Sequence, residues 1–192
     1  MKKFELTNEF ITNMFGTKLF RIRALVEFGD VEAGELGGYV EKESNLGHDD
    51  NAWVYDNAWV YGNARVYGDA QVSGDARVYD NAWVYGDAQV SGDARVCGNA
   101  RVYGDARVCG NGNYAYAHGF GSVNRTTTFF RLKDGGVGVR CGCFYGTLAQ
   151  FRDKIRETHG ESAIAEEYLD LAALMEKRFR RTGNEQKTEE ES

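Results

Sequence analysis

Residues 51–74 read NAWVYDNAWVYGNARVYGDAQVSG, four six-residue units end to end. The frame continues from Asn51 to Gly110 as ten units with no insertion or deletion. Position one is Asn or Asp, position two Ala and position four Val throughout; position six is Gly except at Asp56 and Asp80. Positions three and five carry the variation, Trp, Arg or Gln at one and Tyr, Ser or Cys at the other. Strand side chains alternate, so Ala and Val in such a unit share one face and the two variable residues share the other. The Gly-Asp or Gly-Asn pair is a corner, because these residue types tolerate left-handed backbone at low steric cost. Neither a helical period of 3.6 nor a two-residue hairpin meander holds Ala and Val in phase over sixty residues.

A four-residue strand buries nothing alone, so the units must stack on one another as in other quasi-one-dimensional repeats. The pattern resembles the hexapeptide-repeat, left-handed parallel β-helix family, in which three hexapeptides form one triangular coil of 18 residues. The resemblance implies a body of about three and a third coils, roughly 16 Å tall at ~4.8 Å per strand, with a column of Val and Ala inside.

An 18-residue coil sorts the outward residues into three faces. One carries Trp53 and Tyr55, then Gln71, Ser73, Gln89, Ser91, Arg107 and Cys109. The second carries Trp59, Tyr61, Arg77, Tyr79, Arg95 and Cys97. The third carries Arg65, Tyr67, Trp83, Tyr85, Arg101 and Tyr103, so its tyrosines form an unbroken ladder. Tyr, Trp and Arg are the types enriched at interaction hot spots. They also have good β propensity and stack on one another along a flat sheet, so both readings of the third face are open: an oligomer or partner contact, or structure alone.

The flanks obey other rules. Residues 1–44 have mixed strand character around a turn at MFGT, and read as the β cap that an exposed solenoid end requires. Residues 45–116 are the solenoid. Tyr114 stands where the frame wants Val and is too large for that slot, so the coil should end there. Over 117–180, TTTFFRLKDGGVGVRCGCFYGT predicts two strands joined at Asp134-Gly135. Thr147 and Gln150 form a capping box that opens a helix closed by Gly160, and a second helix follows from about Ser162 to Arg180. Residues 181–192 read as a disordered acidic tail. The expected fold is therefore mainly β: a left-handed parallel β-helix with an N-terminal β cap and a small C-terminal α+β module of a hairpin plus two helices.

Composition narrows the function. The formal net charge is −6, half of it from the acidic last eight residues, so a nucleic-acid partner is not expected. No stretch approaches the ~18 apolar residues of a membrane span, and the N-terminus lacks a continuous apolar core, so the chain reads as cytoplasmic. Its four cysteines, Cys97, Cys109, Cys141 and Cys143, lack the spacing of a secreted disulfide framework and read as reduced thiols.

The segments LFRIRALVEFGDVEAGELGGYVEKESNL and TTTFFRLKDGGVGVRCGCFYGTLAQFRDKIRETHG, together with the repeat between them, resemble a group of hexapeptide-repeat proteins of bacteria, phages and prophages. That resemblance covers residues 1 to about 180 and implies fold and group membership, but no activity. The enzymes best known on this fold are acyltransferases, which place a catalytic His near a loop leaving the coil. Here all three histidines, His48, His118 and His159, lie outside the repeats, and sixty residues pass without an extruded loop. The expectation is thus a non-enzymatic binding protein without cofactor, with an acyltransferase as the alternative. Its partners would be further copies of itself, a host protein such as a defence component, or a small anionic ligand such as a nucleotide.

Two local motifs have a chemical reading besides a structural one. His118, Ser122 and Arg125 lie in HGFGSVNR, a Gly-rich stretch able to cradle an anion or merely to link two modules. Cys141 and Cys143, placed two apart on a strand, would share one face, and His159 follows on the next helix. A Cys/Cys/His metal cluster lacks an evident fourth ligand, so no metal site is expected and two core cysteines are the plainer reading.

Overall fold

The computed structural model describes residues 2–190, with side chains described to Thr182. The chain divides into two compact units, 1–111 and 112–192.

In the first unit, the hairpin of β1 (Phe4–Thr12) and β2 (Lys18–Ala24) leads into β3 (Leu36–Val40). The turn is held by Asn13, whose Oδ1 accepts from the backbone N–H groups of Phe15 and Thr17. Ten two-residue strands follow, β4 to β13, at Trp53–Val54, Trp59–Val60, Arg65–Val66, Gln71–Val72, Arg77–Val78, Trp83–Val84, Gln89–Val90, Arg95–Val96, Arg101–Val102 and Arg107–Val108. Each pairs in parallel with the strand 18 residues away, for example Gln71↔Gln89 and Trp83↔Arg101. Three ladders result, β13-β10-β7-β4, β12-β9-β6 and β1-β2-β3-β5-β8-β11. The molecule is a parallel β-solenoid, and the frame Ala and Val from Ala52 to Val108 are fully buried in its core.

The solenoid is longer than the repeat. Val40 pairs with Val60 and Leu46 with Val66, so residues 38–54 form an additional coil above the first complete one and the stack reaches four coils. The spacing there is 20 residues rather than 18, because eight residues separate Leu46 from Val54 where six separate every later pair of core valines. The boundary expected at 44/45 therefore cuts through this coil. Gly38 holds the place of the frame alanine. A Cβ there would lie 2.6 Å from the Ala58 carbonyl oxygen. Buried Asn45 stands in for missing backbone bonds, donating from Nδ2 to the carbonyls of Gly62 (3.2 Å) and Ala64 (2.8 Å).

Corners confirm the reading of position six, where the φ angles are positive at seven glycines from Gly62 to Gly104 and at Asp56 (52°) and Asp80 (59°). The two aspartates are not casual exceptions. Asp56 Oδ2 accepts the Gly74 N–H at 2.9 Å and Asp80 Oδ2 that of Gly98 at 3.2 Å, each one coil further along. A side-chain bond between coils offsets the left-handed cost of a residue with a Cβ.

The cap covers the open end of one ladder: β2 runs antiparallel to β3 and so occupies its edge. Beneath the cap, Lys3 donates from Nζ to the carbonyls of Asp50 (3.1 Å) and Ala52 (2.8 Å). Phe4 stacks on His48 at 4.4 Å, and Phe28 meets Trp53 edge-on at 5.3 Å. Trp53, expected on an outer face, is fully buried here, because the cap lies over the first coil.

The second unit is an antiparallel sheet, β14 (Tyr114–Phe120), β15 (Arg125–Arg131), β16 (Val137–Cys141) and β17 (Phe144–Thr147), in that spatial order. The hairpin expected around Asp134-Gly135 is β15–β16, with Gly135 at φ 84°. Helices α1 (Leu148–His159) and α2 (Ala163–Glu190) complete the unit. The Thr147–Gln150 capping box is formed, and Gly160 at φ 58° closes α1. Phe129 and Val139 from the sheet share a core with Phe151, Ile155, Tyr168, Leu171 and Phe179 of the helices. Helix α2 continues past Arg180, where a disordered tail was expected. Gln, Lys and Glu are good helix formers and carry a helix already begun across the single Gly183. Residues 191–192 of that tail lie outside the described residues.

Candidate functional site

The outer positions of the solenoid form stacked rows. On the third face, Tyr67 and Tyr85 stack with ring centroids 4.9 Å apart and planes 9° from parallel, and Tyr103 continues the row at 4.5 Å. Beside it, the guanidinium groups of Arg65 and Arg101 lie 5.8 and 4.8 Å from the Trp83 ring centre, one from each neighbouring coil. Arg65 and Arg101 are exposed while Tyr67, Trp83, Tyr85 and Tyr103 are half-buried. The 18-residue register thus brings together all six residues read as an interface. On the second face, Tyr61 stacks on Tyr79 at 5.1 Å and Arg77 lies 4.1 Å from the Trp59 ring centre. A hydrogen bond with Cys97, helped by burial, pushes the Tyr79 hydroxyl up to about 12. Polar rows run along the corners: Asn63 Nδ2 donates to Asn81 Oδ1 at 3.2 Å and Asn81 to Asn99 at 3.4 Å.

A different site lies in the second unit. A cleft of about 250 Å³ opens between the β14–β15 turn, the β16–β17 turn and helices α1 and α2. Ser122 and Arg125 reach it from the first turn, Cys143 from the second, and Lys154 and His159 from α1. Phe144, Phe151, Ile155 and Tyr168 supply its apolar walls. Two motifs read separately in the sequence, Ser122/Arg125 and Cys141/Cys143/His159, therefore line one cavity.

Not every expected member joins them. HGFGSVNR is the end of β14 and its turn into β15, not a linker, and strand alternation sends Ala115 and Ala117 to the helices. His118 belongs to the opposite face, exposed, with Nδ1 2.8 Å from Thr126 Oγ1. Cys141 and Cys143 do not share a strand face either. Cys141 ends β16, and Gly142 at φ 59° begins a two-residue turn that leads to β17. The Cys141 thiol is buried, accepting from Thr127 Oγ1 at 3.1 Å and lying 3.9 Å from the Tyr168 hydroxyl, whereas Cys143 is exposed. No group of three or more His, Cys, Asp or Glu among the described residues is placed to hold a metal ion.

Two glycines shape the cleft. A Cβ on Gly142 would fall 1.8 Å from Arg125 Nη1, so the guanidinium lies directly on the bare backbone of the turn. A Cβ on Gly121 would fall 1.9 Å from the Tyr168 oxygen. The Gly121 N–H donates to Glu167 Oε2 at 2.7 Å, which ties the first turn to α2. Burial, reinforced by Cys141, pushes the Tyr168 hydroxyl up to about 12, so it remains a neutral donor across physiological pH. The His159 and Tyr168 rings stack at 6.0 Å. Lys154 had no separate signal in the sequence, since only the packing of α1 against the sheet brings it to the turns.

The coil is similar to a known solenoid repeat. A family model described as the YdcK beta solenoid repeat matches residues 58–72, 70–86, 88–100 and 94–110. All four segments lie within the stacked strands, so the likeness concerns the repeat alone and assigns the chain to β-solenoid repeat proteins. No curated protein matches the chain. No helix among the described residues is long and apolar enough to cross a membrane.

Proposed function

We propose that the protein is a non-enzymatic binding protein, of a bacterial or phage hexapeptide-repeat group, that works through the third face of its solenoid and assembles with further copies of itself. The observation that carries this reading is the half-buried Tyr67–Tyr85–Tyr103 row beside the Arg65–Trp83–Arg101 stack. Rings already held by their neighbours lose little freedom on docking, and Tyr, Trp and Arg contribute most of the energy at interfaces. A frame with fixed 18-residue spacing presents them on a rigid plane.

The test is the mass in solution by light scattering, for the wild type and for the Tyr67→Ser, Tyr85→Ser, Tyr103→Ser triple variant. The wild type is expected to be an oligomer and the variant to dissociate. A variant of unaltered mass refutes the third-face contact. Binding of a host protein by the same face would instead leave the wild type monomeric, with capture of that protein lost in the variant.

A second reading, sequestration of a small anionic ligand, is favoured by one specific observation, the Arg125 guanidinium in the cleft of the second unit. The acyltransferase alternative has no comparable feature in its favour, and it is tested by binding of coenzyme A.

A further inference from the structure

Arg125 begins β15, half-buried, and its guanidinium makes no hydrogen bond or ion pair with any described residue. Its Nη1 occupies the space a Cβ on Gly142 would fill, so the bare backbone of the turn makes room for the group but offers it no negative charge. A guanidinium presents five donors in a fixed fork, suited to carboxylate and phosphate oxygens. Lys154 lines the same cleft. Its partner Glu157 stands three residues away on the exposed side of α1, in a surface pair worth little. None of the residues lining the cleft is acidic, and the nearby Glu167 carboxylate is engaged by the Gly121 N–H.

The remainder of the cavity is apolar. Phe144 and Phe151 lie with ring centroids 5.4 Å apart, and Tyr168 meets Phe151 edge-on at 5.9 Å, which leaves aromatic surface around the opening. A space of about 250 Å³ falls just below the ~300–1,000 Å³ of sites for drug-sized ligands, enough for one ring with its substituent. Ser122 and Thr158 add hydroxyls at the rim.

We propose that this cleft binds a small aryl anion, a single aromatic ring bearing a phosphate or carboxylate, with Arg125 and Lys154 on the charged group and Phe144, Phe151 and Tyr168 around the ring. The inference deepens the ligand-sequestration reading and is independent of the solenoid face. Arg125 is a binding residue, and Gly142 positions it.

The experiment follows amide and arginine Nε–Hε signals of the full chain by NMR during titration with phenyl phosphate, benzoate and inorganic phosphate, each to about 10 mM, a concentration that detects even millimolar affinity. An aryl probe is expected to move the Arg125 side-chain signal and the Gly121 and Gly142 amides. Inorganic phosphate should bind at least about tenfold more weakly, having no ring to bury. Arg125→Gln should weaken the aryl probe by about tenfold or more, the scale of a charged hydrogen bond. If that variant does not fold, Lys154→Gln replaces it, with a loss of at least about threefold expected. The proposal is overturned if neither aryl probe moves these signals, if inorganic phosphate binds equally well, or if the folded variant binds as the wild type does. Phenyl phosphate against benzoate identifies the head group. Failure of every probe leaves the mass measurement on the tyrosine variant unaffected, so the two readings fail separately.

Discussion

The buried Lys3 makes the stability of the first unit rise in mild alkali. Lys3 is only 3% exposed, and burial, partly offset by Asp50, Asp49 and Asp69, lowers its ammonium from 10.5 to about 8. Between these values the unfolded chain keeps a proton that the folded chain has released. Stability therefore increases with pH across this window, and the full difference corresponds to about 3 kcal/mol. Above pH 10 the tyrosines oppose the trend. Tyr79 and Tyr168 are held up to about 12, so the unfolded phenols ionise first and favour unfolding. From pH 8 to 10 Lys3 alone contributes a gain of about 2 kcal/mol. Tyr55, Tyr61 and Tyr79 of the same unit cancel part of it as the unfolded phenols begin to ionise, so the difference between the wild type and a variant without Lys3 isolates its contribution. Urea unfolding followed by tryptophan fluorescence is the suitable assay, because Trp53, Trp59 and Trp83 all lie in the first unit. Lys3→Met removes the titrating group, so its stability should lack this rise. Parallel stability curves for wild type and variant from pH 8 to 10 would refute the reasoning, whatever their absolute separation.

Three further outcomes are expected. Asp56→Ala should destabilise the first unit by about 2 kcal/mol, combining left-handed strain with loss of the bond from Gly74. Asp56→Gly, which relieves the strain, should cost less; the reverse order in urea midpoints would refute the left-handed backbone at this corner. Under native conditions a thiol reagent should label Cys143 well before Cys141, which is buried against Thr127; mass mapping of early adducts checks this, and equal rates would contradict the packing of the second unit. Coenzyme A at about 1 mM should give no calorimetric heat, a weak-binding limit near −4 kcal/mol; saturable binding would revive the acyltransferase alternative.

Much of the fold was legible because its rules are local. Ala and Val two residues apart, each recurring every six, declare a buried strand face, MFGT a hairpin turn, and Thr147 with Gln150 a helix start, each from residues near in sequence. The first coil escaped that reading. Its core positions are Gly38, Val40 and Leu46, and its eight-residue corner breaks the count, so only pairing with Val60 and Val66 reveals it. Trp53 follows the same outward rule as Trp59 and Trp83, yet it is buried because Phe4 and Phe28 come to it from residues remote in sequence.

The cleft shows the same division more sharply. Arg125 and Ser122 advertise an anion site by type, and Cys141, Cys143 and His159 advertise a cluster by spacing. Their convergence, and the departure of His118 from it, depend on the β14–β15 register and the turn at Gly142. What the sequence determined by itself was the solenoid frame, its direction of burial and the inventory of outward residues, because a period of six acts on every unit alike. What the tertiary structure alone decided was which of those residues are covered and which meet, because cap, turns and helices are joined by contacts between distant segments that no local period encodes.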